Sequence, residues 1–476
     1  MREVLMTDQE PPIRTVPFID PAYIRTTLDQ AAEASDQEIE RIFAKAEAFA
    51  GLTHHEVAIL LKVTRPEHMA RLFQVARLIK EAIYGQRIVI FAPLYVSDHC
   101  VNGCRYCGYQ CGNAFKRRKL TQDEIRIEAE AIIKLGHKRI ALEAGEDDEQ
   151  CDLDYILDSI KTVYATKVDQ GEIRRINVNI AATTVDHYRR LKEAGIGTYI
   201  LFQETYDPEV YAWYHPTGPK SDYVYHTTAF DRAQEAGIDD VGGGVLFGLG
   251  DPLFETLALM LHNEHLEQSF GVGFHTISVP RIRPAKGNED QRYPHAPDDD
   301  LFRKIVAIIR LAVPYTGIIV STRESANMRK DLIDCGITQM SADSAVGVGG
   351  YAVNKLKKEA AVAQFARSDE RSTSEVISWL LSEGLIPSYC TACYRMMRTG
   401  DRFMQLAKSG QIKNVCQPNA LTTLAEYLLD YGDEALQSQG FSLIEEEMGK
   451  IARPDIQQLT KKNIAAIKAG QRDKYL

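Results

Sequence analysis

The chain has 476 residues, 45% of them hydrophobic and 26% charged, and a formal net charge of −10. That length supports a large core and more than one domain. The acidic balance argues against a nucleic-acid partner, which needs clustered Lys and Arg. No run approaches the ~18 apolar residues of a membrane span. The first twenty residues carry acids early and lack an apolar core before a cleavage site, so they do not read as a signal peptide. The expectation is a cytoplasmic enzyme with no membrane partner.

From Asp20 to about Tyr84 the segments "DQEIERIFAKAEAF" and "PEHMARLFQVARLIKEAIYG" repeat apolar residues every three to four positions, the period of amphipathic helices. Thr53 with Glu56 three residues later predicts a capping box, which makes His54 and His55 surface residues rather than ligands. An N-terminal helical region over residues 1–85 follows. From Arg87 short apolar runs alternate with helical stretches: "RIVIFAPL", "RIALEAG", "RINVNIAA", "GTYILFQE", "DVGGGVLFG", "HTISVPRI", "GIIVSTRE" and "GITQMSAD". Eight such units over residues 86–345 predict an α/β fold, a (β/α)8 TIM-type barrel. A doubly wound open sheet is the rival, but no glycine-rich dinucleotide fingerprint follows the first strand. Reactive groups of such a barrel lie just after its strands, where Glu146, Gln203, Glu204, Arg281, Arg323 and Ser341 stand. After Ala345 a Gly-rich, then charged connection leads into a mainly helical C-terminal domain, residues 346–476.

The nine cysteines are unevenly spread: Cys100, Cys104, Cys107 and Cys111 form one group, Cys390, Cys393 and Cys416 another, and Cys151 and Cys335 stand alone. Without an export signal disulfides are disfavoured, and two compact groups read as metal ligands. Cys100-x3-Cys104-x2-Cys107 is too compact for the paired ligands of a zinc finger. Thiolates from one short loop suit three corners of a cubane cluster, with the fourth iron left open. Cys111 is then a spare thiol, and Cys151 and Cys335 are incidental. Cys390-x2-Cys393-x22-Cys416 again offers three thiolates, so a second iron–sulfur cluster with a free iron fits better than zinc completed by a distant histidine.

With Tyr106 directly before the third cysteine, in the loop after the first strand, the sequence resembles the radical SAM superfamily. The resemblance implies a 4Fe-4S cluster whose open iron is chelated by the amino and carboxylate groups of S-adenosyl-L-methionine. One electron then yields methionine and a 5′-deoxyadenosyl radical, so the cofactor carries the hard chemistry. Ala144-Gly145-Glu146 occupies the place of the superfamily's Gly-Gly-Glu-like motif, which makes Glu146 the partner of the methionine ammonium. Tyr106, Gln203 and Glu204 are further cofactor-side candidates.

The distant triplet, with "SYCTACYR", "RTGDRFM", "AKSGQI" and "VPRIRPA", resembles the tyrosine lyases that mature FeFe-hydrogenase, over nearly the whole chain from about Glu38. That resemblance implies cleavage of the Cα–Cβ bond of L-tyrosine to p-cresol and dehydroglycine. The small fragment would become carbon monoxide and cyanide at an auxiliary 4Fe-4S cluster carrying a labile fifth iron, with cysteine as a further ligand of that iron. Reduced ferredoxin or flavodoxin is the implied electron donor, and other hydrogenase maturases are the implied partners. Arg323 offers a planar fork to the substrate carboxylate and Ser341 a hydrogen bond. Tyr95 is similar in placement to a substrate-contacting tyrosine of a related tryptophan-cleaving enzyme. If the C-terminal domain closes the bottom of the barrel, the histidine on the extra iron should open a strand, as His275 does; His265 is the runner-up. A tunnel between the two clusters is then expected. Two other readings stand beside this one: a thiamine-pathway 2-iminoacetate synthase whose second triplet is structural, and a non-catalytic iron–sulfur scaffold or carrier.

Overall fold

Eight short apolar runs, each followed by a helical layer, close into a parallel barrel in a computed structural model that describes residues 14–359, 362–396 and 398–476. Most of the N-terminal stretch judged against a signal peptide lies outside the described residues. The strands are β1 (Arg87–Ser97), β2 (Arg139–Ala144), β3 (Arg175–Asn179), β4 (Tyr199–Ile200), β5 (Val241–Gly244), β6 (Thr276–Ser278), β7 (Gly317–Val320) and β8 (Gln339–Ser341). Each pairs in parallel with the next, and β8 closes on β1 with Val89 opposite Gln339 and Phe91 opposite Ser341. All eight runs expected from the sequence are strands. Along β1 the alternation of a pleated strand sends Ile88, Ile90, Ala92 and Leu94 into the fully buried layer beneath the helices, while Phe91, Pro93 and Tyr95 face the barrel interior.

That interior departs from the packed Val, Ile and Leu layers usual in such barrels. Its lower half is polar and small. A Cβ at Gly242 would lie 2.6 Å from Thr276 Oγ1 and 3.2 Å from Thr198 Cγ2, so three neighbouring strands present a glycine and two threonines to one another. Asn177, buried on β3, accepts from the backbone N–H of Thr198 at 3.1 Å.

The helices α1 (Pro21–Gln30), α2 (Asp36–Glu47), α3 (His54–Lys62) and α4 (Pro66–Tyr84) pack outside the barrel, with α3 and α4 against the helix Asp299–Ala312. The capping box of α3 is present, and His54 binds Glu264 through Nδ1 at 2.8 Å. The stretch "DYVYHTTAFDRAQEAG" is not one helix but two, Tyr223–Thr227 and Ala229–Glu235, broken at Thr228. Gly136, Gly195 and Gly237 follow helices with positive φ, the left-handed exit that favours glycine.

Beyond β8 the chain returns across the barrel mouth, where Val346, Gln364 and Phe365 line the central cavity. It then adds a ninth strand, β9 (Ile386–Ser388), parallel to β1 at Arg87–Val89, the end where β1 begins. The helix Lys413–Tyr431 packs on β9 and sends Glu426 to Lys138 at 2.9 Å and Arg174 at 2.6 Å, residues on the approaches to β2 and β3. The C-terminal region therefore caps the bottom of the barrel. Among the described residues no helix is long and apolar enough to cross a membrane.

Candidate active site and second cysteine site

The barrel mouth opens into one large cavity, and Cys100, Cys104 and Cys107 line it together. Their loop is held by backbone bonds on both sides: Val101 donates to the Glu146 carbonyl at 2.8 Å, and Arg105 donates to the Tyr214 carbonyl at 3.0 Å. Gly145 permits this approach, because a Cβ there would meet the His99 carbonyl oxygen at 2.2 Å. The Glu146 carboxylate accepts from Asn102 Nδ2 at 2.5 Å, and that amide also reaches Cys100 Sγ at 3.7 Å. Burial pushes the Cys107 thiol up to about 11 and the Cys104 thiol further. Lys220 opposes this. Burial works against its charge, but Glu204, which accepts from Lys220 Nζ at 2.9 Å, and the neighbouring thiols keep the ammonium protonated.

Three thiols with a buried cation beside them fit an anionic cluster bound through thiolates, with Glu146 and Asn102 placed for a polar ligand on the open corner. Among the described residues no three Cys, His, Asp or Glu groups gather closely enough to chelate a single ion. Thiolates on the corners of a cubane stand farther apart than that. Cys111 is exposed and lies off the cavity lining.

The remaining candidates divide clearly. Tyr95 lines the cavity and donates its hydroxyl to Gln364 Oε1 at 2.9 Å. Arg323 also lines it, with its guanidinium over the Phe365 ring. The adjacent Glu324 is not its partner but binds Arg281 at 3.0 Å and Arg283 at 3.1 Å, which also removes Arg281 from the candidate list. Ser341 presents to the cavity a buried hydroxyl with no hydrogen-bond partner, and so do Thr322 and Ser344. Tyr106 lines the cavity and shares a hydrogen bond with His215 Nε2 at 2.9 Å. Glu204 faces inward with φ of 69°, a strained conformation of the kind that collects at functional sites. Gln203 is different. Phe202 and Glu204 take the inward positions, so Gln203 turns behind the wall and donates to Thr227 Oγ1 at 2.9 Å.

Sequence reasoning did not single out Lys220, Glu143, Thr322, Ser344, Gln364 or Phe365. An acid inside the apolar run "RIALEAG" was a signal for Glu143; nothing local marked the others.

At the opposite end, Cys390, Cys393 and Cys416 lie close enough to act on one another. The contact between Cys393 and Cys416 draws the Cys416 thiol down, helped against burial by Arg87, the first residue of β1, and by Arg398, while the same contact and then burial push Cys393 up. Arg139, which opens β2, donates to the Cys390 carbonyl at 3.4 Å, and its Nε is buried without a partner. Three thiols ringed by guanidinium groups fit a second anionic cluster. His275 lies beside this loop, with Nε2 3.1 Å from the hydroxyl of Tyr394 and Nδ1 3.4 Å from Asp240. His265 is elsewhere, bound to Asp231 at 2.7 Å and stacked on Phe18 at 3.9 Å in the outer layer.

A solved structure titled HydG, a maturase of the FeFe-hydrogenase, superposes with a TM-score of 0.94 and 52% identity, covering 97% of this chain and 100% of that one. The chain belongs to the HydG family. HydG from Carboxydothermus hydrogenoformans has a TM-score of 0.81 at 39% identity, over 93% of this chain and 98% of that one. The superfamily profile "Radical SAM superfamily" matches residues 94–261, and that of the "Biotin and Thiamin Synthesis associated domain" matches residues 278–386. The 2-iminoacetate synthase of Salmonella typhimurium is 29% identical over 71% of this chain and 87% of its own length. As a HydG-family chain, this is a radical SAM protein, and that superfamily's cofactors, S-adenosylmethionine and a 4Fe-4S cluster, match the donor set at the barrel mouth.

Proposed function

We propose that this chain is a radical SAM tyrosine lyase that makes carbon monoxide and cyanide for FeFe-hydrogenase maturation. The observation that carries the reading is the pairing of two cysteine triads at opposite ends of one barrel, both with cationic side chains beside them. At the mouth the bound cluster and S-adenosylmethionine supply one-electron, hydrogen-abstracting chemistry. The chain's own residues then have defined tasks. Cys100, Cys104 and Cys107 hold the cluster, Glu146 binds the cofactor's ammonium, and Lys220 with Glu204 sets the charge between them. Arg323 binds the carboxylate of L-tyrosine, Ser341 adds a hydrogen bond, and Tyr95 packs beside the ring. Val346, Gln364 and Phe365 close over the mouth and exclude water.

The products expected at the mouth are p-cresol and dehydroglycine. The small fragment would pass down the barrel, by the level where Gly242, Thr198 and Thr276 meet. At the bottom Cys390, Cys393 and Cys416 would hold the auxiliary 4Fe-4S cluster. His275 would ligate the labile fifth iron, with cysteine bound as its further ligand. Reduced ferredoxin or flavodoxin as electron donor, other maturases as recipients, and a cytoplasmic setting complete the proposal.

The alternative is a 2-iminoacetate synthase activity, favoured by the relative in Salmonella typhimurium. Anaerobic incubation of the reconstituted protein with reductant, S-adenosylmethionine and L-tyrosine separates the readings. The expected result is p-cresol together with carbon monoxide and cyanide. Cresol with no carbon monoxide leaves the 2-iminoacetate reading, and neither product leaves a scaffold or carrier.

A further inference from the structure

Three acids line the cavity at the barrel mouth: Glu143, Glu146 and Glu204. Two are committed toward the cysteine loop, Glu146 to Asn102 and Glu204 to Lys220. Glu143 is not. It is the last inward-facing residue of β2, and among the described residues its carboxylate accepts only from Asn179 Nδ2, at 2.6 Å. Among the described residues it has no ion-pair partner, and Arg323 has none either, although the Arg323 charge reaches Glu143 across the cavity.

The order of strands explains what this pair can do. β2, β1, β8 and β7 are consecutive around the barrel, and they carry Glu143, Tyr95, Ser341 and Arg323, with Arg323 just past the end of β7. One arc of the wall therefore runs from a carboxyl group through two hydroxyls to a guanidinium. An acid and a cation held in one cavity without touching form a receptor for a ligand that carries both charges itself. The head group of a free α-amino acid is such a ligand: its carboxylate suits the planar fork of Arg323, and its ammonium needs an acid. We infer that Glu143 is the acceptor for the amino group of the substrate amino acid, opposite Arg323 on the carboxylate. Burial pushes the Glu143 carboxyl up to about 8 against the pull of Asn179 and Arg323, so at neutral pH the empty cavity holds it largely as the neutral acid, and an arriving ammonium favours its carboxylate form.

This rests on the tyrosine reading above, and the test separates the two. Binding to the reconstituted, unreduced holoprotein with S-adenosylmethionine present is measured by calorimetry for L-tyrosine and for 3-(4-hydroxyphenyl)propionate, which lacks only the amino group. Glu143→Gln keeps the shape and an acceptor for Asn179. It is expected to weaken L-tyrosine by about 10- to 100-fold, the worth of one charge-assisted hydrogen bond, and to leave the desamino compound within about twofold. Equal loss of both ligands gives Glu143 a merely structural role and overturns the inference, as does unchanged tyrosine binding. Failure of the wild-type protein to bind L-tyrosine overturns the tyrosine reading itself.

Discussion

The guanidinium of Arg323 lies 3.4 Å from the centre of the Phe365 ring. The contact joins the end of a barrel strand to the segment that returns over the mouth, and it orients the cation without neutralising it. Replacing Arg323 by Lys keeps the charge but removes both the fork and the stacking surface. Arg323→Lys should therefore raise the KM for L-tyrosine by at least about 10-fold. Phe365→Ala should move KM in the same direction by less. p-Cresol formation against tyrosine concentration gives both numbers. An unchanged KM in Arg323→Lys would remove this residue from the carboxylate site.

The two cysteine triads predict separable losses. Cys393→Ala should still release p-cresol, because Cys100, Cys104 and Cys107 at the other end of the barrel are untouched, but it should make no carbon monoxide. Its iron content should drop by about four to five atoms per chain, one cluster with its extra iron. Cys107→Ala should lose both products. Iron analysis beside the two product assays decides the matter, and normal carbon monoxide from Cys393→Ala would return the second triad to a structural role.

The barrel was legible because its strands are short apolar runs divided by amphipathic helices, so periodicity alone locates "RIVIFAPL" or "GIIVSTRE". The cysteine ligands were legible for the same local reason: their spacing is compact. What stayed hidden was assembled from separate parts of the chain. Lys220 reaches Glu204 from a loop after the fourth strand, and Gln364 meets Tyr95 from beyond the barrel. Gln203 shows the converse limit. Its position after a strand suggested the cavity, but a one-residue phase in the pleat turned it to Thr227. Thr322 sits at an unremarkable strand end, and only its unpartnered buried hydroxyl marks it.

Glu426 predicts how the C-terminal cap responds to acid. Burial pushes its carboxyl up, but Lys138 and Arg174 outweigh that and hold it at about 2, below the ordinary 4.5. A depressed native value stabilises the fold above the unfolded pKa, and the contribution disappears as pH falls from about 4.5 through 2. The shift corresponds to roughly 3 kcal/mol. Glu426→Gln should cost about 3 kcal/mol at neutral pH, because Lys138 stays buried without its counter-charge, while Arg174 keeps Asp473 at 3.3 Å and Glu172 at 3.6 Å. Urea unfolding at pH 7 and pH 4 measures it: the gap between wild type and variant should narrow toward acid. A gap that stays constant would show that the carboxylate's charge is not what holds the cap.

The polar interior of the barrel yields the last prediction. Thr276 stands opposite Gly242, and its hydroxyl takes the place that a Cβ there would need, so small groups rather than Val or Ile meet at this level. If a small polar fragment travels from the mouth to Cys393, it passes this level. Thr276→Leu puts a larger apolar side chain at this level, and leaves both cysteine triads intact. p-Cresol serves as the internal control, since it forms above the constriction. The expected variant makes p-cresol at a near-normal rate while carbon monoxide and cyanide fall together, and untrapped glyoxylate, the hydrolysis product of dehydroglycine, accumulates in the medium. Parallel loss of p-cresol and carbon monoxide would mean that the substitution damaged the mouth instead. A full yield of both would mean that the fragment reaches the second site by another route, and the glycine and threonines would then need a different explanation.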